Sequence, residues 1–128
     1  MIEEGIVSLL NANGPLSALV SAVYPVFIPE DAAYPCLSYQ TVSRAPEYTF
    51  AGESFYEGVF QFDCWSMQYA EAKAVQKALR NALDVYQGTL SEGTQVLAVF
   101  RTMDADFFEE DSRFYRAMSE YTFHYVEP

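Results

Sequence analysis

The sequence predicts an α+β domain, with about four strands in a mainly antiparallel sheet, one long helix packed across a face, and short helices at the N-terminus. Three observations carry this expectation. Residues Ser54–Trp65 alternate along a strand, and at Ser66 the pattern changes to the period of a helix. A second long alternation runs through Arg113–Val126. The chain has 128 residues, 51% of them apolar, with ten Phe and ten Tyr. That is enough for one real core and too apolar for disorder, so residues 1–128 read as a single domain.

Each element has its own signature. Ile2–Leu10 is apolar at positions 2, 6, 7, 9 and 10, a short helix ended by Asn11, Asn13, Gly14 and Pro15. Pro15 suits the first turn of a second short helix through Val20. Val23–Ile28 contains Pro25 and precedes Pro29, which fits an extended edge segment. Cys36–Ser43 is a strand with Leu37, Tyr39 and Thr41 on one face. Arg44–Glu53, with Pro46 and Gly52, reads as a loop or hairpin tip.

In Ser54–Trp65 the residues Tyr56, Phe60, Phe62 and Cys64 share one face, opposite Glu57, Gln61 and Asp63. Val59 and Trp65 suggest that this second face is partly covered too. Ser66 is placed to cap a helix over Met67–Tyr86, whose apolar stripe is Ala72, Val75, Leu79, Ala82, Leu83 and Tyr86. Gly88 is placed to stop it. Gln95–Met103 is a further strand, Asp104–Ser112 an acidic connector, and Arg113–Val126 the last strand.

Composition narrows the function. Eighteen acidic residues against seven basic ones give a net charge of −11, which disfavours direct binding of nucleic acid or of anionic membranes. No apolar run reaches the roughly 18–20 residues of a membrane span. Met1-Ile2-Glu3-Glu4 lacks the positive start of a secretory signal, so synthesis in the cytosol is expected. Cys36 and Cys64 lie in apolar strand contexts and are expected to be buried free thiols.

The residue types needed for chemistry do not assemble. Asp104, Asp106, Glu109, Glu110 and Asp111 suggest a calcium loop, but the twelfth position from Asp104 is Tyr115, where such a loop needs glutamate. The one histidine, His124, sits inside an alternating strand. Asp63 and Glu57 share a strand face without an acid/base partner. Phosphate-cradling, zinc and dinucleotide motifs are absent from the sequence. No enzyme activity, cofactor or metal is expected.

Surfaces for assembly remain. Lys73, Lys77 and Arg80 form a basic ridge on one side of the long helix, with Asp84 beyond them. This ridge is either an ordinary solvated helix face or a surface that meets the acidic stretch Asp104, Asp106, Glu109, Glu110 and Asp111 of a neighbouring copy. Complementary patches on different parts of one molecule favour head-to-tail contacts, which close into a ring when the rotation permits. Tyr48 and Phe50, in a loop bounded by proline and glycine, either fold back onto the core or dock onto a partner protein.

Several passages taken in order resemble a known family. They are Ile2-Glu3-Glu4-Gly5-Ile6-Val7-Ser8-Leu9-Leu10, Leu19-Val20 leading to Val23-Tyr24-Pro25, and Pro35-Cys36-Leu37-Ser38-Tyr39-Gln40. Then come Phe62-Asp63-Cys64-Trp65-Ser66-Met67-Gln68-Tyr69-Ala70-Glu71-Ala72 and Phe114-Tyr115-Arg116 leading to Tyr121-Thr122-Phe123-His124-Tyr125. Over nearly its full length the chain resembles the bacteriophage tail-completion proteins, also called tail terminators or head–tail joining proteins. It departs from their pattern at Ser21-Ala22, where a glycine is expected before the Tyr-Pro step.

The resemblance implies a subunit of a ring, commonly a hexamer, that caps the tail tube and offers a surface to the head connector and adaptor proteins. It implies no catalytic residues, and a place at the head–tail interface of a virion built in the bacterial cytoplasm. Related proteins occur in prophages and gene transfer agents. The alternative is a monomeric binding module or tail-assembly chaperone of the same particle, and the third reading is a small metal-dependent hydrolase.

Overall fold

A computed structural model describes residues 1–48, 50 and 54–128. The elements are α1 (Ile2–Ala12), α2 (Gly14–Ser17), β1 (Val23–Pro25), β2 (Cys36–Tyr48), β3 (Ser54–Ser66), α3 (Tyr69–Leu83), β4 (Gly88–Thr89), β5 (Gln95–Glu109) and β6 (Phe114–Val126). All the strands join one sheet in the order β1-β2-β3-β6-β5-β4.

This overturns the expected architecture. In place of about four mainly antiparallel strands under one long helix, the chain forms a six-stranded mixed sheet, curled into a half-barrel, with three short helices. β1 pairs with β2 in parallel, and the other pairs are antiparallel. β4, two residues long, was unforeseen, and β1 forms only the first three residues of the extended edge segment expected over Val23–Ile28. The curl has a local cause. β2 is bulged between Thr41 and Ser43, and β5 between Val96 and Ala98 and again between Arg101 and Met103. Each bulge bends its strand and increases its twist.

The same bulges move element boundaries. β2 continues to Tyr48 because Pro46, paired with Tyr56, lies beyond the reach of β1 and loses no outer ladder bond. The rest of the expected loop, residues 49 and 51–53, lies outside the described residues. β5 runs on to Glu109, so Asp104, Asp106 and Glu109 belong to a strand and only Glu110 and Asp111 to the following turn. Two phase shifts in fifteen residues hide that strand from an alternation test.

α3 is shorter than its apolar stripe suggests. Gln68, without a side-chain cap, precedes its first residue, and the Ser66 hydroxyl accepts the Gln68 N–H (3.1 Å) one step earlier. The helix ends at Asp84, whose ψ of 127° is extended, and Val85 then turns through φ 53°. Gly88 opens β4 rather than capping the helix.

The core lies between the helices and one sheet face. Ile2, Ile6 and Leu10 of α1 and Ala72, Val75, Leu79 and Leu83 of α3 pack with Leu37, Phe60, Phe62, Cys64, Tyr121, Phe123 and Tyr125. The cross-strand rings Phe60–Phe123 and Phe62–Tyr121 meet edge to face at 5.3 and 5.8 Å. Both cysteines are buried free thiols, with Cys36 raised by desolvation to about 11. Cys64 points into the core and Cys36, paired with Trp65, to the opposite face.

Glu3 ties α1 to the bulge of β2. Its carboxylate accepts from the Thr41 hydroxyl (2.8 Å) and from Arg44, whose Nε donates to the Tyr125 hydroxyl (2.9 Å). Burial pulls the Glu3 carboxyl upward, but its own backbone N–H, Thr41 and Arg44 outweigh this and leave it below its ordinary 4.5. A folded-state value below the unfolded one stabilises the fold above pH 4.5, and the contribution is lost as pH falls through the folded value. Glu3→Gln should therefore flatten the fall in melting temperature below pH 4.5. An unchanged acid limb would refute the role of this carboxylate.

Candidate functional site

What this fold leaves open is backbone at both sides of its sheet. β1 covers β2 only from Leu37 to Tyr39, so Gln40–Tyr48 has no strand on its outer side among the described residues. At the far side β4 covers only Gln95 and Val96, which among the described residues leaves residues 97–109 of β5 as a second free edge. Such rows of N–H and C=O groups are templates for another strand. Because the edges belong to different strands on opposite sides of one sheet, a contact between them is heterologous.

Of the charged residues singled out in the sequence, Asp104, Asp106 and Glu109 lie on β5 itself and Lys73 reaches it from α3. Lys73 on α3 reaches Asp106 of its own chain (3.0 Å), and the Tyr69 hydroxyl donates to the other carboxylate oxygen (2.7 Å). The Tyr69 bond, with Lys73 and against desolvation, holds the Asp106 carboxyl below its ordinary value. Asp104 accepts from the Ser119 hydroxyl (2.8 Å) and pairs with Arg101. Glu109 accepts from Arg116 (3.0 Å). Lys77, Arg80, Glu110 and Asp111 have no ion pair among the described residues. The structure thus joins one ridge residue to one acidic residue within the chain and leaves Lys77, Glu110 and Asp111 exposed and Arg80 half-buried.

Tyr48 and Phe50 stand at the β2–β3 hairpin, where Tyr48 is 77% exposed and Phe50 fully so. Neither folds back onto the core.

The sheet face away from the helices carries a polar cluster centred on Arg116. Its guanidinium donates to Asp63 (3.0 Å) and lies over the rings of Phe107 (4.2 Å) and Trp65 (5.6 Å). Gln61 also donates to Asp63 (3.1 Å), and the Trp65 indole N–H donates to the Ser38 hydroxyl (3.0 Å). Asp63 is thereby engaged structurally. Glu57 lies opposite His124, whose ring meets Phe100 at 5.8 Å. Among the described residues no group of three or more His, Cys, Asp or Glu could hold a metal ion, and no helix is long and apolar enough to cross a membrane.

Sequence reasoning missed two features. The β5 edge was hidden by its bulges. Val26 and Phe27, exposed beyond β1, left a fainter trace, an apolar Val26-Phe27-Ile28 triplet between Pro25 and Pro29 with no period to bury it.

Comparison with known families matches residues 4–125 to the family described as tail completion protein gp17. Comparison with solved structures aligns a chain from the virion of a native gene transfer agent (GTA) particle. The alignment covers 98% of this chain and 95% of that one, with a TM-score of 0.77 and 20% identity. At that identity the likeness is one of fold. Comparison with curated proteins returns no match.

Proposed function

The chain belongs to the tail completion protein gp17 family, and from that premise we propose that it is a structural, non-enzymatic subunit of a phage or phage-like tail that assembles into a ring. The ring, hexameric by the family resemblance, sits at the end of the tail tube and joins it to the head connector and adaptor proteins. The particle is a phage, a prophage product or a gene transfer agent, put together in the bacterial host.

The observation that carries this reading is the pair of free edges on opposite sides of one sheet. Pairing the β2 edge of one copy with the β5 edge of the next repeats indefinitely or closes, and closure removes every edge. The bulges, Pro46 and the charged residues along both edges discourage uncontrolled pairing of isolated monomers. Light scattering with negative-stain microscopy, on the protein alone and with tail tubes, tests the reading. Rings support it, and a monomer that binds tubes without closing on their ends supports the binding-module alternative.

The helix ridge gives a sharper test. If Lys77 and Arg80, beside Lys73, face Glu110 and Asp111 of the adjoining copy, then Lys77→Glu with Arg80→Glu should weaken self-association. The effect should be largest at low salt, where surface charges are least screened. An unchanged oligomer at every ionic strength rules that pairing out.

A further inference from the structure

We propose that the apolar groove beside β1 docks an extended segment of a partner protein, one that carries a large apolar or aromatic side chain between basic residues. This rests on the reading of the chain as a tail subunit that meets other proteins, and it adds where one partner binds and by what chemistry.

The groove has a volume of about 380 Å³ and is lined chiefly by Val26, Phe27, Ile28, Tyr34, Trp65 and Phe114. A cavity of about 150 Å³ admits a benzene ring, so one large side chain fits with room for its flanks. One wall is rigid. Tyr34 stacks on Phe114 with centroids 4.2 Å apart, and Trp65 is fixed by Ser38 on its N–H and by Arg116 over its ring. The other wall is a strained turn. Val26 has φ 65°, and the Phe27 N–H bonds back to the Pro25 carbonyl (2.7 Å), which makes a γ-turn centred on a β-branched residue. That conformation is rare and costly. It holds Val26 67% and Phe27 73% exposed, so the strain serves no burial. Strain kept where it presents apolar groups to solvent marks a preformed binding surface.

Charge selects the occupant. Glu30 and Asp31 follow the lining residue Ile28, and Glu110 and Asp111 precede Ser112 at the opposite rim. All four are exposed, and none has an ion pair among the described residues. Nearby Arg113 lies over the Phe108 ring (5.4 Å), and Arg116 is neutralised by Asp63 and Glu109. The rim is therefore net acidic. On a second copy the two most exposed aromatics outside the groove, Tyr48 (77%) and Phe50, follow Glu47 and so match the acidic rim poorly. A segment with lysine or arginine around an apolar anchor satisfies both the groove and its rim.

Trp65 is the chain's one tryptophan and reports directly on the groove. Its emission is to be titrated with two capped synthetic peptides, each with a single phenylalanine, flanked by lysine pairs in one and by glutamate pairs in the other. The expected result is a saturable shift with the lysine peptide alone. Phe27→Ser should abolish it, and Glu30→Lys with Asp31→Lys, which the proposed ring contact does not use, should weaken it roughly fivefold at low salt. Gln87→Lys, at an exposed position before β4 on the opposite side of the sheet from β1, should leave it unchanged.

No saturable shift, equal binding of the glutamate peptide, or full binding by Phe27→Ser overturns the proposal. A Trp65 shift that follows protein concentration without peptide and vanishes in Phe27→Ser overturns it in favour of a second copy. Ring formation is scored separately by light scattering. Rings without peptide binding defeat only this inference, and peptide binding without rings or tube association defeats only the assembly reading.

Discussion

Phe62→Ala is expected to destabilise the fold by about 3–5 kcal/mol, the usual cost of removing a buried aromatic ring. Phe62 is 0% exposed at the centre of β3 and meets Tyr121 edge to face across the ladder to β6. Its removal opens a cavity where the sheet faces α3, and the neighbouring rings, held in register, relax only in part. Domains of this size are stable by roughly 5–15 kcal/mol in total, so the variant keeps only a fraction of that margin. Urea unfolding at fixed protein concentration measures the loss. Phe100→Ala, at a side chain 55% exposed on the opposite face, should cost less than about 1 kcal/mol. Equal losses at the two positions would contradict the placement of the core.

The second large effect is expected at Asp63. Its side chain is 9% exposed, that of Arg116 is 20% exposed, and the pair is part of a cluster that joins β3, β5 and β6. Removing one member of a fully buried pair costs about 3–5 kcal/mol because the other charge is stranded. Arg116 keeps Glu109 and some solvent, so Asp63→Ala should cost about 2 kcal/mol. Adding Arg116→Met removes the stranded charge while retaining a flexible apolar stem over Phe107. The double variant should recover about 1 kcal/mol, as read by a double-mutant cycle. Strict additivity of the two losses would show that the pair is not coupled.

The elements legible in the sequence were those whose period survives over many residues. Ser54–Trp65 and Arg113–Val126 were read to within a residue of β3 and β6, because each keeps its phase along a face buried by helices. The stripe Ala72, Val75, Leu79 and Leu83 located α3 for the same reason. β4 was illegible, since two residues in the ladder carry no period, and at β1 the prolines marked an extended edge segment but not its parallel pairing. β5 was cut short at Met103 because two bulges shift its phase, and this turned Asp104, Asp106 and Glu109 into an apparent loop. The sequence therefore shows the charged residues and long strands that could pair, but not which stretches of strand backbone lie uncovered among the described residues.

The sequence by itself determined which stretches bury a face, where β3 hands over to α3, that the two thiols are buried, and the family resemblance. These properties are local, written in the spacing of neighbouring side chains. Only the tertiary structure decided the strand order, the parallel β1, the curl of the sheet and the two edges that have no partner strand among the described residues. It also decided that Lys73 meets Asp106 of its own chain, and that Trp65, Tyr34 and Phe114 enclose a groove with the Val26 turn. The physical reason is separation along the chain. Arg44 meets Tyr125 and Asp63 meets Arg116 across most or nearly half of its length, and no local pattern records which distant residues a sheet brings together.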